Sequence, residues 1–135
     1  MTLRISLRPG EKVIVNGAVL SAVGRTELAV ESKAAILRGR EIMSPAEADT
    51  PARLLYFHTM MAYIDAESSE AHQDRIIEAL RNVSALLRTP EASVATMSFA
   101  RNVAAMQYYR ALGDCRQLMR LEDELLADAQ PEQAA

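Results

Sequence analysis

An α+β fold is predicted, with a small N-terminal antiparallel β-module followed by a C-terminal helical bundle, and three observations predict it. The hydrophobic pattern changes from period two to a helical period at Ser44-Pro45. The pairs Pro9-Gly10, Asn16-Gly17 and Gly24-Arg25 cut residues 2–40 into short alternating runs. Charge changes sign at the same boundary: residues 1–43 carry seven Lys/Arg against four Asp/Glu, net +3, and residues 44–135 carry eight against fourteen, net −6. The organisation read from this is a basic β-module over 1–43, a helical module over 44–129 and a disordered tail over 130–135. So small a β-module buries little surface alone and must lean on the helices or on a second copy of the chain.

In the first strand Leu3, Ile5 and Leu7 alternate with Arg4, Ser6 and Arg8, the period of a half-buried strand. Pro9-Gly10 turns the chain, and Val13 and Val15 lead into Asn16-Gly17, whose residues tolerate positive φ in a tight hairpin turn. Residues 18–23 return, Gly24-Arg25 turns again, and Leu28 and Val30 alternate with Glu27 and Glu31. A short run over 35–38 brings the total to as many as five strands.

Ser44-Pro45-Ala46-Glu47 has capping-box spacing, and Thr50-Pro51 follows at once, so the first helix is only about a turn long. Leu54, Phe57, Met61 and Ile64 fall at helical spacing, with Leu55, Tyr56, Met60 and Tyr63 covering the other side, so this helix is expected to be buried nearly all round. Ile76, Leu80, Val83 and Leu87 make the stripe of the next. Thr89-Pro90 starts a third helix, running through Val94, Met97, Ala104 and Tyr108. Gly113-Asp114 either ends it and caps a fourth with Leu118, Leu121 and Leu125, or lies inside one long helix.

The composition points away from catalysis. His58, His72 and Cys115 are far apart and have no zinc spacing, so no metal is expected. His58 reads as a hydrogen-bonded core histidine and His72 as a surface residue. Phosphate-loop, dinucleotide and nucleophile-elbow patterns are absent, and Glu122-Asp123-Glu124 splays over several helix faces and reads as a solvated surface. Met60, Met61, Met97 and Met119 read as core. No cofactor and no enzyme activity are implied. The single cysteine, the lack of a signal-peptide pattern and the lack of a membrane-length apolar run predict a soluble cytoplasmic protein with no membrane partner.

Nucleic-acid binding survives this filter. Arg4 and Arg8 project from one face of the first strand, Lys12 follows the turn, and Lys33, Arg38 and Arg40 bracket the last strand. These six are the candidate phosphate and base-edge contacts. A solvated strand face is the competing reading, since sheet surfaces are commonly charged. Residues 1–55 hold no Phe, Tyr or Trp, so the sheet itself offers no base-stacking platform.

Leu7-Arg8-Pro9-Gly10-Glu11-Lys12, Asn16-Gly17-Ala18-Val19, Lys33-Ala34-Ala35-Ile36-Leu37-Arg38 and Ala48-Asp49-Thr50-Pro51-Ala52-Arg53 resemble the FlbT family of flagellum biosynthesis regulators. Residues 56–63, Tyr108-Tyr109-Arg110-Ala111-Leu112 and Cys115-Arg116 extend the match over nearly the whole chain. The resemblance implies a post-transcriptional regulator that associates with the 5′ untranslated region of flagellin mRNA, represses translation and promotes mRNA degradation. It also implies concerted action with the regulator FlaF, and it leaves the sign of regulation open because some members act positively. It assigns no RNA-contacting residue. Residues 2–42, ending in Arg38-Gly39-Arg40-Glu41-Ile42, are separately similar to the CsrA family of mRNA-binding translational repressors, which implies an RNA surface on the first and last strands. The reading from a different class is a protein-binding adaptor that engages flagellin or FlaF through its helices. A homo-oligomer is compatible with either.

Overall fold

The computed structural model describes residues 2–128. The disordered tail expected over 130–135 lies outside them. Five strands come first: β1 (Leu3–Leu7), β2 (Lys12–Val15), β3 (Ala18–Ser21), β4 (Thr26–Val30) and β5 (Ile36–Arg38). Two single 3-10 turns follow, Gly39–Glu41 and Pro45–Glu47, and then the helices α1 (Pro51–Ile64), α2 (Ser69–Leu86), α3 (Pro90–Ala104) and α4 (Tyr108–Asp128). A third 3-10 turn, Ala66–Ser68, leads into α2. The α+β expectation is met.

The strands form two antiparallel sheets, β1-β4 and β3-β2-β5. Asn16 (φ 49) and Gly17 (φ 88) make the β2-β3 turn with both residues left-handed, and Val15 pairs with Ala18 across it. The other pairings are less local: Ile5 lies opposite Leu28, and Ile14 opposite Leu37. Val13 and Ile14 are both buried, on opposite faces of β2. Val13 packs with Ile5, Leu7 and Ala22 between the sheets, whereas Ile14 and Leu37 join the helical core. The three-stranded sheet is therefore a middle layer with the β1-β4 pair on one side and the helices on the other.

Side chains tie the sheet to α1. The Tyr63 hydroxyl accepts the Ile36 N–H at 3.0 Å, and the Tyr56 hydroxyl donates to the Glu41 carbonyl at 2.7 Å. Gly17 meets the end of α1 so closely that an added Cβ would lie 2.9 Å from the Ile64 carbonyl oxygen. Pro45, Pro51 and Pro90 each open a helical turn, as expected. Glu47 completes the capping box by accepting both the Ser44 N–H and its hydroxyl at 2.9 Å.

Three readings of the helices need correction. The α3 stripe is not Val94 and Met97, which are 69% and 63% exposed. The buried side is Ala92, Ala95 and Phe99, because the small residues let α3 approach α4 closely. The third helix ends at Ala104, not at Gly113; Met106 turns the chain at φ 57, and Gly113 lies within an unbroken α4. Met97 is consequently not core, although Met60 is buried and Met61 and Met119 pack against the core. Among the described residues no helix is long and apolar enough to cross a membrane.

Candidate nucleic-acid interface

Among the described residues strand β1 pairs only with β4, and β5 only with β2, so each keeps one edge without a strand partner there. Two clefts lie where these edges approach. The first, about 390 Å³, is lined by Leu3, Arg4 and Ile5 of β1 and by Ile36 and Arg38 of β5. The second, about 720 Å³, is lined by Ser6, Leu7 and Arg8 from the end of β1, by Arg25 from the turn before β4, and by Arg38 and Gly39. Arg38 borders both. Leu3, expected to face the core, instead sits exposed at the rim of the first cleft, while Ile5 and Leu7 are buried as expected.

Of the six candidate residues, the structure brings Arg4, Arg8 and Arg38 to this line of clefts. Lys12, Lys33 and Arg40 are exposed but line neither cleft. Arg25 is the basic residue that sequence reasoning missed, because a residue in a turn has no strand period to mark it. Among the described residues Arg8, Arg25 and Arg38 make no ion pair, and Arg4 reaches Glu27 only at 4.0 Å with both side chains exposed. Such an exposed pair is worth little in water, so these guanidinium groups are available to an external anion. Glu11 is the carboxylate lining the larger cleft, and its Oε1 accepts the Arg8 backbone N–H at 2.9 Å.

The helices supply what the sheet lacks. Tyr63 from the last turn of α1 and Tyr109 from the first turn of α4 complete the smaller cleft, with ring centroids 5.5 Å apart and planes tilted by 42°. The Tyr109 hydroxyl donates to Glu41, and this bond is the main reason its pKa is pushed up to about 12. The phenol is therefore neutral at any physiological pH.

The histidine and carboxylate readings change. His72 is buried, 6% exposed, and its Nε2 lies 3.0 Å from Asp65 Oδ2, because the turn before α2 folds over it. His58 is half-buried, but its Nδ1 is buried without a hydrogen-bond partner among the described residues. Burial, with Arg75 and His72 nearby, holds its imidazole below the ordinary value. The Glu122-Asp123-Glu124 run is not one solvated face: Glu122 is fully buried, Asp123 pairs with Arg53 at 3.2 Å and Glu124 with Arg120 at 3.0 Å. Burial pushes the Cys115 thiol far up, which makes it inert as a nucleophile. Among the described residues no three His, Cys, Asp or Glu side chains are grouped to hold a metal ion.

The sequence profile described as "Flagellar protein FlbT" matches residues 3–126. The chain belongs to the FlbT family. A flagellum biosynthesis repressor protein FlbT of Caulobacter vibrioides is 37% identical over 127 residues, covering 93% of this chain and 90% of the relative. A probable flagellum biosynthesis repressor protein FlbT of Chelativorans is 32% identical over 134 residues, covering 98% and 92%. No solved structure gives a significant match. FlbT is a family of regulatory repressors.

Proposed function

We propose that this chain is a cytoplasmic post-transcriptional regulator of flagellin synthesis that binds the 5′ untranslated region of flagellin mRNA. On this reading it restrains translation and promotes decay of the transcript by blocking ribosome entry or exposing the RNA to nucleases, with no catalytic step of its own. Relatives named as flagellum biosynthesis repressors support the biological setting. The observation that carries RNA as the ligand is the convergence of Arg8, Arg25 and Arg38, free of ion pairs among the described residues, on one open cleft with Arg4 beside it. Clustered guanidinium groups at a concave surface bind phosphates and release counterions, whatever the net charge of the rest of the chain.

Titration of flagellin leader RNA with the purified protein tests this. Saturable binding that weakens steeply with salt is expected, and Arg4→Glu with Arg38→Glu should weaken it and flatten the dependence on log[salt]. Unchanged affinity and slope in the folded double variant would reject the surface.

One observation favours the adaptor reading. Val94 and Met97 stand exposed on α3, with Leu86 and Leu125 partly exposed at the same end of the bundle, an apolar surface suited to a protein partner such as FlaF or flagellin. Binding of either protein abolished by Val94→Asp with Met97→Asp, together with no direct RNA affinity, would favour it.

A further inference from the structure

The smaller cleft differs in kind from the larger one. Its walls are apolar, from Leu3, Ile5 and Ile36, and one side is the Tyr63-Tyr109 pair. Both tyrosines are held at their polar ends, Tyr63 by the Ile36 N–H and Tyr109 by Glu41. Glu41 is fixed in turn, because its other oxygen accepts the Arg38 N–H at 3.1 Å. The rings are thus placed before any ligand arrives, and Tyr109 remains 46% exposed. A site needing phosphate alone would have no use for two fixed aromatic rings and an aliphatic wall. A flat ring carrying a charged backbone uses both parts.

We propose that this cleft takes an unpaired nucleobase of single-stranded RNA, stacked on the Tyr109 face against the aliphatic wall. Arg4 and Arg38 at the rim hold the adjoining phosphates, and the chain continues past Arg38 into the cleft of Arg8 and Arg25. Arg38, which borders both clefts, joins the base site to the phosphate track. The inference rests on the RNA-binding reading and adds to it a stacking site built from the helices rather than from the sheet. Aromatic stacking is tolerant of base identity, while Glu41 lies near enough to accept from an N–H at the base edge, which adenine and cytosine offer as an exocyclic amino group and uracil as its imide.

The test uses the full chain and four single-stranded probes: oligo(A), oligo(C), oligo(U) and an abasic oligonucleotide of the same length. The wild-type protein should bind all three base-bearing strands more tightly than the abasic strand. Tyr109→Ala and Tyr109→Leu should each lose on the order of ten-fold for the base-bearing strands with the salt slope unchanged, and should leave abasic binding unaltered. Tyr109→Phe keeps the ring and should keep most of the affinity; circular dichroism verifies that all three fold. Equal loss for base-bearing and abasic strands, or no loss in either non-aromatic variant, would overturn the base site while leaving arginine-dependent binding intact. Dissociation of a dimer on removal of the Tyr109 ring would overturn it in favour of a second copy. Failure of the wild-type chain to bind any of the four probes would remove the RNA-binding reading and this site together.

Discussion

Glu122 caps α1 from the far end of the sequence: its Oε2 accepts the Ala52 N–H at 2.8 Å, although seventy positions separate the two residues. Its Oε1 accepts the hydroxyl of Thr50, the helix's own N-cap residue. A carboxylate without solvent exposure is costly unless its oxygens are satisfied, and the free N–H groups and positive end of a helix dipole satisfy this one. The same contact orients α4 across the start of α1, the helix on which the sheet rests.

Removing that carboxylate leaves the buried Ala52 N–H and the half-buried Thr50 hydroxyl without their acceptor. Glu122→Ala should destabilise the fold by about 3 kcal/mol, and Glu122→Gln, which keeps one acceptor, by less. Asp123→Ala, next in sequence but ion-paired at the surface, should cost less than about 1 kcal/mol. Urea unfolding of the three variants checks the ranking, and equal losses at 122 and 123 would contradict the buried-cap account.

Gly17 and Gly113 should respond to alanine in opposite directions. Gly17 sits at φ +88 with the Ile64 carbonyl oxygen 2.9 Å from where an added Cβ would lie, so strain and collision add. Gly17→Ala should cost about 2 kcal/mol. Gly113 lies inside α4, where the nearest atom to an added Cβ is a terminal nitrogen of the Arg116 side chain at 3.8 Å. Gly113→Ala should stabilise by up to about 1 kcal/mol. Thermal unfolding of both variants checks the signs.

The glycines also show what the sequence could and could not reveal. Asn16-Gly17 announced its hairpin and Pro45, Pro51 and Pro90 announced their helix starts, because those residues act through their own backbone. Met106 gave no warning of the α3-α4 break, since a non-glycine residue at φ 57 is held there by tertiary context. The division into two sheets rests on pairings such as Ile5 with Leu28 that no local pattern encodes. Glu122 looked like its exposed neighbours because three consecutive carboxylates carry no signal of which one turns inward. Arg4, Arg8 and Arg38 were legible as charges on strand ends. Their meeting with Arg25, Tyr63 and Tyr109 depends on how the sheets sit against α1 and α4.

His58 should give the fold a pH dependence in the weakly acidic range. Burial holds its imidazole below the ordinary 6.5, so the unfolded chain takes up a proton before the folded one does. Its contribution to stability is therefore complete above about pH 6.5 and declines as pH falls toward the lowered folded value. His58→Leu removes the proton site and the unpartnered Nδ1 from a largely apolar helix. Urea midpoints at about pH 7.5 and about pH 5.5 should differ less in this variant than in the wild-type chain. An unchanged difference would assign the pH dependence elsewhere.

Two pairs of basic residues separate convergence from mere basicity. Arg8 and Arg25 meet at the larger cleft, whereas Lys12 and Lys33 are equally cationic and exposed but lie outside both clefts. Replacing either pair with glutamate changes the net charge by the same amount, so any effect through overall charge must be the same for both double variants. If the clefts form the phosphate track, Arg8→Glu with Arg25→Glu should reduce the magnitude of the slope of log K against log[salt] for single-stranded leader RNA by about 1.4, two fewer phosphate contacts. Lys12→Glu with Lys33→Glu should leave that slope nearly unchanged and weaken affinity only modestly at low salt, where long-range attraction is least screened. Arg8, Arg25, Lys12 and Lys33 are all exposed and make no ion pair among the described residues, so both double variants should unfold close to the wild-type midpoint. Equal reduction of the slope by the two pairs would mean that RNA follows diffuse charge over the whole β-module and that the clefts have no special part in holding it.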